Sequence, residues 1–347
     1  MPIASSSTAP TGKHLSVRNL TTRIRTSRGE ITAIQQVSLS LAPGEILGLV
    51  RESGSGKSVT LRSLLQLLGP RATTSGSVNW GGEELVDLTD KAMRRIRGGE
   101  IAMIFQEPMI ALNPVLTVHR QIDESLCAHT TLNRQQRRLR TVELLGLVGI
   151  PDAQRRLDDY PHQFSGGMRQ RVMIAVALAG EPQLLLADEP TTALDVTIQE
   201  QIIKLLLNLR DELHMGMIFV THDLSVVAQL CDRVAVMYAG RIVESGPVSE
   251  IFRRPRHPYT QGLMASVPRL GGERLPLQSI DGTPPSLAAL PDGCSFNPRC
   301  AYRSEKCLRE VPALEQLSVG HEAACHHVDA LVANDVAYTS AGGQRHA

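Results

Sequence analysis

Aromatic side chains are scarce in this 347-residue chain, which holds five Phe, five Tyr and one Trp. The arginine-rich run NRQQRRLRTVELLGLVGI therefore has no interleaved rings, and it reads as a solvated helix face rather than a nucleic-acid patch. An excess of one charge is also missing. Lys and Arg number 36 against 35 Asp and Glu, a formal net charge of +1, so no global field draws the chain to nucleic acid or anionic lipid. No uninterrupted apolar run approaches the roughly 18 residues of a membrane span. The N-terminal MPIASSSTAPTGKH lacks the charged-then-apolar layout of a secretory signal and reads as a disordered, cytosolic leader over residues 1–13. Six cysteines are too few for a disulfide scaffold, yet four of them fall within residues 294–325.

What is present is enough to fold. Hydrophobic residues make up 42% of the chain, and the length suits one large domain or two. Three regimes follow one another without a repeat. Over residues 14–100, β-like runs such as LSVRNLTTRI, ITAIQQVSLSL and EILGLV are divided by Gly and charged turns. Over residues 100–180 the pattern is helical, with Leu139, Val142, Leu144, Leu145 and Val148 at helical spacing. Over residues 183–250 the β-runs QLLLAD, MIFVTHD and RVAVMYAGRIVES alternate with the helix TIQEQIIKLLLNLRDELH, which predicts a parallel sheet with crossover helices. The fully apolar LLLA suits a strand buried on both faces. Proline becomes dense after residue 253, which predicts an irregular appendage, and residues 328–347 read as a frayed tail.

Residues 49–60, LVRESGSGKSVT, carry the first chemistry. A strand, a tight turn and a helix start follow one another, the context a phosphate-cradling loop requires. Gly54 and Gly56 let the backbone N–H groups of residues 54 to 58 come close to phosphate oxygens at a helix N-terminus, and Ser53, Ser55 and Val59 belong to the same nucleotide-binding set. Lys57 can reach the β- and γ-phosphates, and Ser58 can ligate Mg2+. Downstream, Asp188 and Glu189 end the buried run QLLLAD, where ligands of α/β sheets bind. Asp188 can hold Mg2+ through water, and Glu189 can polarise an attacking water.

Four further motifs bring in a family. FSGGMRQR at 164–171 resembles the signature motif of ATP-binding-cassette (ABC) ATPases, FQEP the Q-loop at Gln106, TTALD the D-loop at Asp195, and VTHD the switch histidine at His222. With the phosphate loop and LLLADEP they stand in the family's order. FQEPMIALNPVLTV and RRPRHPYTQGLMASVPRL, with His257, Pro258 and Tyr259, further resemble ATPase subunits of bacterial dipeptide, oligopeptide and nickel importers. The resemblance implies an α/β P-loop NTPase fold: a RecA-like parallel core, an antiparallel β subdomain, a helical subdomain near 100–180 and an irregular C-terminal metal-binding extension. The cassette would span 14–253 and the extension 254–327.

The same resemblance implies roles. Two cassettes pack head to tail, so Ser165, Gly166, Gly167 and Gln170 serve the ATP bound by the partner. Gln106 senses the γ-phosphate and helps hold Mg2+, His222 contacts the γ-phosphate, and Glu189 is the general base. Implied partners are a second ATPase subunit, identical or different, two membrane permeases and an external substrate-binding protein, with no nucleic acid. The location would be peripheral, on the cytoplasmic face of the inner membrane. Three other readings stay open: a nucleotide-binding but poorly hydrolysing member of a heterodimer, a nickel-type importer ATPase, and a soluble cassette ATPase of DNA repair or translation.

Two positions depart from the family. Arg51 stands where the loop usually begins with glycine, and it adds bulk and permanent charge. The segment LTTRIRTSRGEITAI supplies no aromatic ring for adenine, leaving Ile24 or Ile31 as apolar contacts. The cysteine group is a separate signal. Cys294, Cys300, Cys307 and Cys325 crowd into a loop-rich segment, where thiolates in a cytosolic protein favour metal over disulfide. The wide spacing weakens a zinc ribbon, and the resemblance implies a 4Fe-4S cluster. Structural Zn2+ remains the alternative, with His326 or His327 available as a substitute ligand. Cys127 and Cys231 read as core residues.

Overall fold

The computed structural model describes residues 12–27, 29–50, 57–192, 194–266 and 280–331. Most of the expected leader and tail therefore lies outside the described residues. Of the tail, residues 328–331 are helical, and they bury Leu331.

The strands are β1 (Leu15–Thr26), β2 (Gly29–Leu41), β3 (Ile46–Val50), β4 (Ala72–Trp80), β5 (Glu83–Glu84), β6 (Ile101–Ile104), β7 (Leu184–Asp188), β8 (Gly216–Thr221), β9 (Arg233–Tyr238), β10 (Arg241–Pro247), β11 (Glu315–Ser318) and β12 (His321–Ala323). The helices are α1 (Lys57–Leu64), α2 (Asp90–Ile96), α3 (Pro108–Ala111), α4 (Val118–His129), α5 (Arg134–Leu147), α6 (Gly166–Leu178), α7 (Val196–Leu213), α8 (Leu224–Leu230), α9 (Val248–Arg253), α10 (Pro258–Ala265) and α11 (Glu305–Arg309). Two compact units share them. The first takes its described residues from Met1–Ser16, Leu39–Ile46 and Val78–Ile218, the second from Val17–Ser38, Leu47–Ser77 and Phe219–Ala347.

In the first unit, β6 runs parallel to β7, with Ile101 opposite Leu184 and Ile104 opposite Ala187. Every residue of β7 is buried, as the LLLA run predicts. Each of its three leucines stabilises the fold by about 1.5–3 kcal/mol relative to exposure. Helices α4, α5 and α6 pack on one another. Asn133 and Gln136 begin α5 with a reciprocal pair of bonds: the Asn133 side chain accepts from Gln136 N at 3.0 Å, and Gln136 Oε1 accepts from Asn133 N at 2.9 Å. The buried stripe of α5 is Thr141, Leu144 and Leu145, followed by Val148, whereas Leu139 is 57% exposed. The steps of three residues that link Leu139 to Val148 drift backwards by about 60° each, so Leu139 comes out on the far side of the helix from the buried stripe. The arginines of α5 pair with acids, Arg137 with Asp123 at 2.5 Å and Arg140 with Glu181 at 3.0 Å. Cys127 is exposed on α4, while Ile122 and Leu126 of that helix are buried, so it is not a core residue.

In the second unit, β11, β12, β10, β9 and β3 lie side by side in that order. β3 and β9 are parallel, and β10 is antiparallel to both β9 and β12. β2, β1 and β4 belong to a separate antiparallel sheet. The run RVAVMYAGRIVES is two strands rather than one. Ala239 and Gly240 both have positive φ, +47° and +79°, and turn β9 tightly into β10. A Cβ on Gly240 would meet the Ala33 carbonyl oxygen at 2.7 Å, so glycine is required there by space as well as by φ. The C-terminal segment, expected to be irregular, adds α10, α11 and the β11–β12 pair. Its proline density hid strands of only four and three residues.

Most of the few aromatic rings near the sheet gather in this unit. Tyr238 of β9, Tyr259 of α10 and Phe296 have ring centroids 4.6–5.6 Å apart. His257 caps α10, accepting from Tyr259 N at 3.0 Å, and lies 5.7 Å from the Phe296 ring. Burial pushes the His257 imidazole down to about 3, so it is neutral around pH 7.

Candidate nucleotide site

The predicted site residues divide between the two units. The first carries Gln106, Ser165, Gly166, Gly167, Gln170, Asp188, Glu189 and Asp195. The second carries Ser58, Val59 and His222, with Lys57 as the first residue of α1. Ser53, Gly54, Ser55, Gly56, Arg51 and the Lys57 side chain lie outside the described residues.

The first unit places its acids by strand pairing. Ile104 lies opposite Ala187, so Gln106 and Glu189 each follow that pair by two residues at the same C-terminal edge. Gln106 is exposed, Asp188 is 1% exposed and Glu189 is 9% exposed. Glu189 has φ of +47°, a left-handed conformation that costs a non-glycine residue about 1–3 kcal/mol. A turn secures it. Thr192 N donates to the Glu189 carbonyl at 3.1 Å, and Thr192 Oγ1 donates to Glu189 Oε2 at 2.8 Å. Thr192 is thus a positioning residue for the carboxylate. The TT pair of TTALD was visible in the sequence, but nothing in its spacing singled out the second threonine.

Helix ends place the other motif residues of this unit. Ser165 is the N-cap of α6, its side chain accepting from Met168 N at 3.4 Å. Gly166 and Gly167 form the first turn beyond it. A Cβ on Gly167 would meet Ile198 Cγ2 at 2.6 Å, so only glycine lets α6 approach α7 so closely. Gln170, by contrast, is 2% exposed. Asp195 caps α7, accepting from Ile198 N at 2.9 Å.

In the second unit, Ser58 and Val59 are half-buried in the first turn of α1. Thr60 is buried, its hydroxyl 3.8 Å from Met237 Sδ of β9, which ties α1 to the sheet. His222 is exposed directly after β8. The next turn is fixed by Asp223, whose N–H donates to Thr221 Oγ1 at 3.0 Å and whose carboxylate accepts from Ser225 N at 2.8 Å. A short helix with a hydroxyl in its first turn, and an exposed imidazole at a strand end, suit phosphate recognition.

Away from the motifs, Glu244 of β10 is fully buried and accepts three hydrogen bonds, from Arg256 N at 2.6 Å, His257 N at 3.0 Å and His321 Nε2 at 2.9 Å. This clamp joins the RHPYT segment and β12 to β10. The sequence marked His257 but neither Glu244 nor His321.

The four clustered cysteines all lie in the second unit. Cys307 is buried and the other three are half-buried. Cys294 N donates to Cys307 O at 2.9 Å, and Cys307 Sγ lies 3.5 Å from His327 Nε2. Burial raises the thiols of Cys294, Cys300 and Cys325, the last to about 11, and the neighbouring sulfurs push in the same direction. Among the described residues, no group of three or more His, Cys, Asp or Glu is arranged to hold a metal ion. Burial also takes Cys231 to about 12, as suits an inert thiol.

Known proteins supply the frame for these parts. The family model described as ABC transporter matches residues 34–192, and one described as the oligopeptide/dipeptide transporter C-terminal region matches residues 243–307. A protein of Brucella abortus (strain 2308), named for peptide import and ATP binding, is 51% identical over 312 residues, covering 90% of this chain and 94% of its own. The chain belongs to the ATP-binding subunits of ABC peptide importers. A similarly named Brucella ovis protein is also 51% identical, over 326 residues, covering 90% of this chain and 96% of its own. Among solved structures, the dimeric MJ0796 cassette bound to ADP and Pi has a TM-score of 0.61 at 31% identity, covering 67% of this chain and 98% of its own. The cbiO1 subunit from Clostridium perfringens has a TM-score of 0.58 at 29% identity, covering 69% and 90%. This importer subunit is an ATPase that yields ADP and phosphate, and the family implies ATP and Mg2+ as its ligands. Among the described residues no helix is long and apolar enough to cross a membrane.

Proposed function

We propose that this subunit powers uptake of dipeptides or oligopeptides, with Glu189 as the general base that orients and deprotonates the attacking water. The observation that carries the assignment is the Glu189 carboxylate, held at the edge of β7 by Thr192 in a strained backbone. Ser58, Gln106 and Asp188 would hold Mg2+, all oxygen donors of the kind that ion takes. Bound there, Mg2+ would neutralise charge on the phosphates. Ser53, Gly54, Ser55, Gly56, Lys57 and Val59 would cradle the phosphates, and His222 would contact the terminal one.

Ser165, Gly166, Gly167 and Gln170 would cap the nucleotide of a second ATPase subunit, with Asp195 at the junction. The dimeric structure of the MJ0796 cassette supports this arrangement. Two permease subunits and an external binding protein would complete the importer, and the ATPase would sit peripherally on the cytoplasmic face of the inner membrane. Support for permease docking comes from an exposed apolar stretch beside Gln106: Phe105, Met109, Ile110 and Val115 are 36–79% exposed. The cassette would span 14–253, with its helical part at 100–180, and the extension 254–327.

The test is uptake of a labelled dipeptide into vesicles carrying the permeases, with this subunit inside. The wild type should accumulate label only with ATP. Ile110→Asp should abolish uptake while leaving ATP binding intact, and unchanged uptake would refute the docking face. Arg51 favours a second reading, a subunit that binds ATP but hydrolyses it poorly. On that reading Arg51→Gly would raise turnover about tenfold or more.

The extension would hold a 4Fe-4S cluster on Cys294, Cys300, Cys307 and Cys325, with Zn2+ as the alternative. What speaks for it is the gathering of the four cysteines within residues 294–325 of the sequence. Because burial raises the thiols of Cys294, Cys300 and Cys325, loading would have to release their protons. Anaerobically purified protein should show a visible absorbance band that Cys300→Ser removes, and stoichiometric zinc without that band would refute the cluster.

A further inference from the structure

A cavity of about 360 Å³ opens in the second unit, within the range of small-molecule sites. Its lining is mixed in a particular way. Phe296, Val311 and Leu314 give it an apolar side, while Arg241 and Glu322 bring one positive and one negative charge. Among the described residues these two form no ion pair with each other or with any other side chain. The Arg241 guanidinium has neutral partners only: Nε donates to Gln35 Oε1 at 3.1 Å and Nη1 to Gln36 Oε1 at 3.2 Å. Burial holds its pKa below the usual value, the sign of a cation short of a counter-charge.

The wall that holds Arg241 is built under strain. Asn19 and Gln36 both line the cavity and both adopt left-handed backbone, with φ of +49° and +51°. Each is locked by a hydroxyl across the sheet: Asn19 N donates to Ser38 Oγ at 2.9 Å, and Gln36 N donates to Thr21 Oγ1 at 3.1 Å. The amides of Gln35 and Gln36 thereby fix the guanidinium plane, which still offers N–H groups for a bidentate acid.

We propose that this cavity binds a small zwitterion, a free amino acid or short peptide, with its carboxylate on Arg241, its ammonium on Glu322 and its side chain against Phe296 and Val311. Two opposite, separated charges in one half-apolar cavity match a molecule that carries both charges and an apolar group. A simple anion would leave Glu322 repelling it, and a simple cation would face Arg241. The cavity lies outside the nucleotide motifs, and it would report cytoplasmic peptide or amino acid to the ATPase subunit. This reading does not rest on the role proposed for Glu189, so binding here and ATP turnover fail separately.

The test is calorimetric titration of the full chain with alanyl-leucine, N-acetyl-alanyl-leucine, alanyl-leucine amide and free leucine. Alanyl-leucine or leucine should bind saturably at one site, and the tighter of the two identifies the source. Each blocked dipeptide should bind about tenfold or more weakly than alanyl-leucine, the loss expected for one charge-assisted bond. Arg241→Gln should erase the preference for the free carboxylate, and Glu322→Gln the preference for the free amine. Both variants leave the nucleotide residues untouched, and the blocked ligands probe the wild-type fold directly. Absence of saturable binding, or equal binding of free and blocked dipeptides, overturns the proposal.

Discussion

Two buried glutamates of this subunit are held in opposite ways. Glu244 is fully buried and meets two backbone N–H groups and one imidazole, so its lone pairs are committed to the fold. Glu189 keeps 9% exposure at a strand end, on a strained residue whose carboxylate is steadied by a threonine hydroxyl. Burial alone therefore does not mark a catalytic acid. What separates the two is where on the sheet they stand: mid-strand in β10, or just past the C-terminal edge of β7, where ligands of parallel sheets bind.

The contrast breaks hardest at the clamp. Glu244→Ala leaves two N–H groups and His321 buried without their acceptor, and it should cost about 3–5 kcal/mol in denaturant unfolding. A loss under about 1 kcal/mol would mean that the C-terminal segment does not depend on this carboxylate.

A smaller effect should appear on acidification. His257, beside Glu244, titrates near 6.5 when unfolded and about 3 when folded, so the unfolded chain binds the extra proton. Its contribution is present above pH 6.5 and is lost as pH falls toward 3, with a slope of up to about 1.4 kcal/mol per pH unit. His257→Asn should flatten the stability profile in that window, and an unchanged slope would contradict a neutral buried imidazole. The smallest effect belongs to a motif residue: Asp195→Ala removes the cap of α7 and should cost about 1 kcal/mol of stability. A larger drop in turnover than in stability would separate its junction role from capping.

How much of this was legible in the sequence depended on how local the cause was. The buried strands β3 and β7 and the capped helices α6 and α7 follow from short runs of apolar and capping residues. The β9–β10 turn at Ala239 and Gly240 was missed because alanine is a poor marker of positive φ, and the surrounding apolar run continues through it. Thr192, Glu244 and His321 were missed for another reason: their partners are set by turn geometry or by strands up to 77 residues apart. The exposure of Cys127 likewise depends on which neighbours cover α4, which periodicity does not specify.

The central claim is that Glu189 acts on chemistry while Glu244 acts on folding. The most direct measurement takes Glu189→Gln and reads ATP turnover and unfolding free energy on the same preparation, assembled with its partner subunits. Turnover should fall about a hundredfold or more, with stability within about 1 kcal/mol of wild type, because the amide retains the volume and an acceptor for Thr192. Turnover that stays at the wild-type level, or falls only in step with the unfolded fraction, would contradict the account.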